Sequence, residues 1–314
     1  MNKSHLSTLG ALLKKLDPFF ALSRTPHGII DMSLPALSAL LCLGSFPPLT
    51  IVLLGLFTVF SGYTAVYAVN DIVDYRSDRK KAQMGGYEDA EGYLDGVLVR
   101  HPMAKDVLSF KSGLIWAVFW SLAALAGAYL LNPVCMIIFL FGCLLEGLYC
   151  LLLRVTPLRA VVNGLVKTCG PLAAVYAVNP SPPLYFIVLL FFWVFLWEIG
   201  GQNIPADWTD MEEDRKFKAK TLPLILGASR TALIGLMALV GAMFLQFAVL
   251  WASPLTFGPV YLSAALCIAV YQLLLPSLWL AQTKKRSMAM VLFNRASYYP
   301  LVIFGLVLCR MIIP

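Results

Sequence analysis

Two acidic triplets with one spacing, Asp71, Asp74, Asp78 and Asp207, Asp210, Asp214, carry most of the chemistry open to this chain. On a helix, residues at i, i+3 and i+7 share a face, so each triplet stacks three carboxylates on one stripe. Like charges so placed repel, and a cation must offset them. Carboxylate oxygens are hard ligands suited to Mg²⁺, whose other ligands are waters and substrate phosphates. Two such sites facing one another can clamp a diphosphate, neutralise it and make it a leaving group.

The elements that position the triplets are membrane spans. Of the 314 residues 60% are apolar and only 13% charged, too few to cover a water-soluble surface. Apolar stretches of spanning length occur at residues 28–46, 48–69, 108–131, 134–153, 161–178, 184–203, 231–251, 260–281 and 290–312. The expected fold is therefore all-α, a polytopic bundle of about nine transmembrane helices in a single domain over 1–314, with a polar and amphipathic tail at 1–26. The triplets follow the second and sixth spans, four apart, which suggests a distant duplication with two metal sites across one cavity.

Charge sets the orientation. Nearly every Lys and Arg lies in the tail or in the connections after the second, fourth, sixth and eighth spans, whereas those near Asn132-Pro133, Asn179 to Pro182 and Ser253-Pro254 carry none. The positive-inside rule then places the N-terminus and both triplets in the cytoplasm and the C-terminus outside. The net charge of +7 fits anionic headgroups, and no basic run interleaved with aromatics argues for nucleic acid. No obligate protein partner is evident. Residues 1–26 show no cleavage site of a signal peptide. Seven scattered cysteines and three scattered histidines form no Cys-x-x-Cys or transition-metal pattern.

The connection after the first triplet, 72–107, is long, and long connections in compact proteins are usually functional. It holds Gly85, Gly86 and Tyr87, then Glu88, Asp89, Glu91 and Asp95: either a solvated acidic stretch or a lid ordered by substrate. Glu146, Lys167 and Glu198 are charges deep inside spans. Ionisable groups at that depth face a cavity or a partner. Glu198 lies nine residues before Asp207, on roughly the opposite side of an ideal helix, so both face one cavity only if Gly200-Gly201 distorts the helix. It either contacts an acceptor hydroxyl, orients Lys167 or forms a structural pair. Asn163 and Asn203 either line the cavity or tie helices together. The aromatics of the sixth span, Trp193 and Trp197 among them, read as packing or lipid-facing residues with some lining a channel.

A bilayer-soluble molecule with a diphosphate head is a polyprenyl diphosphate. Withdrawal of the diphosphate gives its allylic C1 cation character, open to attack by an electron-rich acceptor and shielded by aromatic walls. The rival class, a secondary transporter or channel, would place acids near mid-membrane in both halves, whereas the six Asp residues sit at span ends.

The residues 70–78, Asn-Asp-Ile-Val-Asp-Tyr-Arg-Ser-Asp, resemble the first signature of the UbiA superfamily of intramembrane prenyltransferases. Asp207 to Arg215 with Lys220-Thr221-Leu222-Pro223 resembles the second, and Arg24-Thr25-Pro26, Tyr149, Arg154 to Leu158 and Gly164 resemble weaker family positions. Two features depart from the pattern: the stretch from Asp78 to Arg100 is long, and His101 interrupts an Arg-Pro pair. The resemblance implies a bundle around a central cavity open sideways to lipid. It implies Mg²⁺ held by Asn70, Asp71, Asp74 and Asp78 on one side and by Asp207, Asp210 and Asp214 on the other, with Asp71, Asp74, Asp207 and Asp210 catalytic. Arg24, Arg100, Arg154 and Lys220 are the implied diphosphate contacts, and Tyr149, Asn163, Lys167, Glu198 and Asn203 candidate cavity residues. The implied reaction joins a polyprenyl group to a lipophilic acceptor of the aromatic, quinone-precursor type. A tetrapyrrole, a glycerol phosphate ether, or phosphoribosyl transfer onto polyprenyl phosphate are variants.

Overall fold

The structure is a computed structural model that describes residues 14–83 and 98–313. The acidic stretch with Gly85, Gly86, Tyr87, Glu88, Asp89, Glu91 and Asp95 lies outside the described residues. Among the described residues there are nine helices long and apolar enough to cross a membrane: α1 Thr25–Leu43, α2 Leu49–Gln83, α3 Phe110–Leu131, α4 Pro133–Arg154, α5 Arg159–Val178, α6 Leu184–Thr209, α7 Ala228–Ala252, α8 Pro259–Thr283 and α9 Arg286–Ile312. The expected bundle is thus present.

Two boundaries differ from the hydropathy reading, for different reasons. α2 does not stop at residue 69 but runs to Gln83, carrying the whole first triplet. Hydropathy ends at the first charges, yet no Gly or Pro interrupts residues 63–83, so nothing breaks the backbone ladder. At 35 residues α2 is about 52 Å long and projects well past a hydrocarbon core of about 30 Å. α6 likewise continues beyond 203, but through a π-helical segment, Glu198–Asn203, before a last helical turn at Ile204–Thr209. α8 repeats this with a π segment at Val270–Leu274. Both segments end two residues before a proline, Pro205 and Pro276, whose rings cannot donate and crowd the carbonyl a turn back.

The core lies on the side of α6, α7 and α9. Trp193, Trp197, Leu239, Tyr299 and Ile303 are buried there, which settles the two tryptophans as packing residues, while Tyr185 and Phe192 are exposed. Polar groups in this core are matched: Trp193 Nε1 donates to Tyr299 Oη at 3.3 Å, the Tyr299 hydroxyl donates to Gln246, Trp197 Nε1 donates to the Ala296 carbonyl at 3.1 Å and Gln202 Nε2 to Ser297 Oγ at 2.9 Å. Gly200 and Gly201 allow this close packing, since a Cβ would come within 2.7 Å of the Gly235 carbonyl at 200 and 2.8 Å of Ala296 Cβ at 201. The other half, α2 to α5, surrounds a cavity, with α1 laid across α5 and α9. The uncharged 132–133 connection is a cap: Asn132 Oδ1 accepts from the Val134 amide at 2.9 Å and its Nδ2 donates to the Tyr176 carbonyl at 3.0 Å. In the tail, residues 14–22 are helical and dock on α3 through Phe19 against Trp116, whose Nε1 donates to Ser23 Oγ at 2.8 Å.

Candidate active site

One cavity of about 560 Å³ reaches from both acidic triplets down the length of α2. Asp74 and Asp78 line it from α2, and Asp207, Asp210 and Asp214 face them from α6 and the turn beyond. The second triplet is not on one continuous helix as its spacing suggested: the helix ends at Thr209, Asp210 stands at the break, and a new helix, Met211–Lys216, carries Asp214. Asp71 is buried to one side of the cavity, in a small adjoining cleft with Arg24, Arg100 and His101.

Five of the six carboxylates have a cation beside them. Lys81 Nζ meets Asp214 Oδ1 at 3.2 Å and so ties α2 to the second triplet, Arg100 Nη2 meets Asp210 Oδ2 at 3.3 Å, and Arg159 Nη1 meets Asp207 Oδ1 at 3.5 Å. Arg24 Nη2 lies 3.4 Å from Asp71 Oδ1. His101 Nδ1 reaches Asp71 Oδ1 at 3.2 Å and Asp78 Oδ2 at 3.0 Å. Burial works against its imidazolium, but the two carboxylates outweigh that and hold its pKa up at about 9. Burial likewise raises Asp214 above its ordinary value, against the pull of Lys81. The segment from residue 98 to 109 brings Arg100 and His101 to the cavity wall, with His101 at φ 51°, in the left-handed region, and Met103 buried against Leu22 and Ala117.

Of the other sequence candidates, Tyr149, Asn163, Lys167, Glu198 and Asn203 all line the cavity, as does Asn70. Asn70 Nδ2 donates to Glu146 Oε1 at 2.6 Å, and Arg159 stacks over the Tyr149 ring at 4.0 Å. Glu198 shares the cavity with Asp207 because the π segment adds the residue that an ideal helix lacks, so the distortion foreseen at Gly200-Gly201 is the one observed. Arg154 and Lys220 lie outside the lining: Arg154 packs over Phe217, 5.8 Å from its ring centre, and Lys220 is exposed, with its backbone amide donating to the Leu153 carbonyl. Sequence reading missed Lys81, Arg159 and Asp31. Lys81 is three residues past Asp78, on the same face once α2 is known to continue. Arg159, Asn163 and Lys167 form an i, i+4, i+8 stripe that was there to be read.

The site fits divalent cations. Its donors are carboxylate oxygens from α2, α6 and the short helix after it, and Asp207 Oδ2 is buried without a hydrogen-bond donor among the described residues. Asp71, Asp78 and His101 offer ligand atoms within 4.8 Å of one another.

A polytopic helical bundle with two acidic triplets in one cavity defines an intramembrane enzyme class. The chain belongs to the UbiA prenyltransferase family, whose model matches residues 32–298. It is 29% identical over 133 residues to the digeranylgeranylglyceryl phosphate synthase of Methanococcoides burtonii, a match covering 42% of this chain and 47% of that protein, so it spans about half the length of that relative. Its fold is similar to a UbiA homolog from Aeropyrum pernix K1, with a TM-score of 0.72 at 18% identity over 91% of this chain and 98% of that one. A UbiA homolog from Archaeoglobus fulgidus, solved with GPP and Mg²⁺, superposes with a TM-score of 0.64 at 14% identity over 94% and 100%.

Proposed function

We propose that this protein transfers a prenyl group from a prenyl diphosphate to a lipophilic acceptor, using Mg²⁺ and releasing diphosphate. The observation that carries this reading is the convergence of both Asp triplets on one cavity whose far part is lined mainly by apolar residues. Asp74, Asp78, Asp207, Asp210 and Asp214, with Asp71 alongside, would hold the metal. Mg²⁺ there supplies charge neutralisation and a better leaving group. Lys81, Arg100 and Arg159, each held by a carboxylate in the structure, are placed to turn toward phosphate oxygens. Beyond the triplets, Val59, Gly62, Phe139 and Ala173 continue the cavity, and Phe46 and Leu56 line it while about half exposed on the flank. This is a path for a prenyl tail to enter from lipid, and water kept out of it protects an allylic cation.

For the acceptor we put forward an aromatic, quinone-precursor type of molecule. The Methanococcoides burtonii relative supports a second reading, the free hydroxyl of a glycerol phosphate ether. In either case the N-terminus and the triplets face the cytoplasm.

The test is incubation of the purified protein in lipid with Mg²⁺, labelled prenyl diphosphates and both acceptor classes, comparing Asp74→Ala and Asp210→Ala with wild type. Metal-dependent product that disappears in both variants is expected. A wild type that neither binds nor turns over prenyl diphosphate would sink the proposal.

A further inference from the structure

Just beyond the triplets the cavity wall changes character. Along α5, Arg159, Asn163 and Lys167 step down one helical turn at a time, about 6 Å each. Arg159 meets Asp207 at the level of the second triplet. One turn deeper, Asn163 Nδ2 donates to Glu198 Oε1 at 2.7 Å. One turn deeper again, Lys167 Nζ lies 2.6 Å from Asp31 Oδ2, which also accepts from the Tyr67 hydroxyl at 2.6 Å. Lys167 is 3.9 Å from Glu198 Oε2, beyond hydrogen-bond reach.

Facing this stripe, the π segment of α6 turns both its ends to the cavity. Glu198 and Asn203 are 4% and 3% exposed, line the cavity, and each keeps an oxygen without a donor among the described residues: Glu198 Oε2 and Asn203 Oδ1. Buried acceptors left unsatisfied are costly, so a native wall that keeps two of them is shaped for a donor that arrives with a ligand. The cation at this level, Lys167, is engaged by Asp31, with Glu146 and Glu198 adding acidic groups nearby. An incoming anion finds acceptors and carboxylates here.

We propose that Glu198 Oε2 accepts the hydrogen bond of the second substrate's hydroxyl, with Asn203 Oδ1 on the same cavity wall, so that this protein recognises that substrate as an uncharged O–H donor, an alcohol or a phenol, and not through a carboxylate at this depth. The proposal rests on the prenyl-transfer reading. With an alcohol, its oxygen bonds to C1, the C1–O bond to diphosphate breaks with the electron pair leaving on diphosphate, and the hydroxyl proton passes to Glu198. With a phenol, the same hydrogen bond feeds electron density into the ring, a ring carbon bonds to C1 as diphosphate leaves, and the ring proton departs on the released diphosphate.

The experiment compares wild type, Glu198→Gln and Asn203→Ala in lipid with Mg²⁺. Geranyl thiolodiphosphate probes the donor site, 1,4-dihydroxynaphthalene and 1-O-hexadecylglycerol probe the acceptor site as phenol and alcohol, and 4-methoxybenzoate is the carboxylate without a hydroxyl. One of the two hydroxyl probes should bind wild type and weaken about tenfold in Glu198→Gln and less in Asn203→Ala, while thiolodiphosphate affinity stays within about twofold. The probe that binds identifies the source of the hydroxyl. Equal or tighter binding of 4-methoxybenzoate, no binding of either hydroxyl probe, or variants that bind the hydroxyl probe as wild type does would each overturn the subsite alone. No Mg²⁺-dependent binding of thiolodiphosphate by wild type would overturn the transferase reading with it.

Discussion

His101 Nδ1 lies 3.0 Å from Asp78 Oδ2, so the histidine that departs from the family's Arg-Pro pair is itself part of the acidic site. Its folded pKa, about 9, exceeds the 6.5 of an unpaired imidazole. The stability it contributes is complete below pH 6.5 and is lost as pH rises through 9. In EDTA-treated protein the unfolding midpoint should fall across that window, and His101→Ala should flatten the profile, removing about 3 kcal/mol at its acidic end. An unchanged profile in the variant would show that the pair does not hold charge.

The cations that line the cavity should matter more to the donor than those outside it. Lys81→Ala and Arg159→Ala should each lower kcat/KM for the prenyl diphosphate by about a hundredfold. Arg154→Ala and Lys220→Ala should stay within about threefold, because neither side chain reaches the cavity. Steady-state kinetics on the four variants decide this, and the reverse ranking would move the diphosphate to the outer rim.

Gly200→Ala tests the packing that supports the π segment. The new methyl would stand 2.7 Å from the Gly235 carbonyl and 2.8 Å from Leu239 Cγ, both in a tight interface. A loss of about 1–3 kcal/mol in detergent unfolding is expected, together with a fall in activity as Glu198 and Asp207 lose their shared orientation. Gly305→Ala, inside α9 with no atom near the added methyl, is the control and should not lower the midpoint.

Lys167, 13% exposed, meets the buried Asp31 at 2.6 Å. Lys167→Met should cost about 3–5 kcal/mol because it leaves a carboxylate without its cation, and adding Asp31→Asn should recover much of that loss. Thermal unfolding of the two single variants and the double variant measures the coupling. Additive losses would mean that the two side chains do not compensate each other.

The sequence by itself determined the number of spans, their approximate positions and the two acidic triplets at span ends, since these depend on local composition and spacing along the chain. It also located the deep charges at Glu146, Lys167 and Glu198, and the need for a helix distortion near Gly200. The ends of α2 and α6 were hidden because hydropathy registers charge, whereas a helix ends only where its hydrogen bonds fail. Which cation meets which carboxylate was decided by tertiary structure alone. Lys81 and Asp214 are 133 residues apart, and Lys167 and Asp31 are 136 apart. No local pattern encodes such pairs, because they form only when packing removes water and leaves each buried charge to the nearest opposite one.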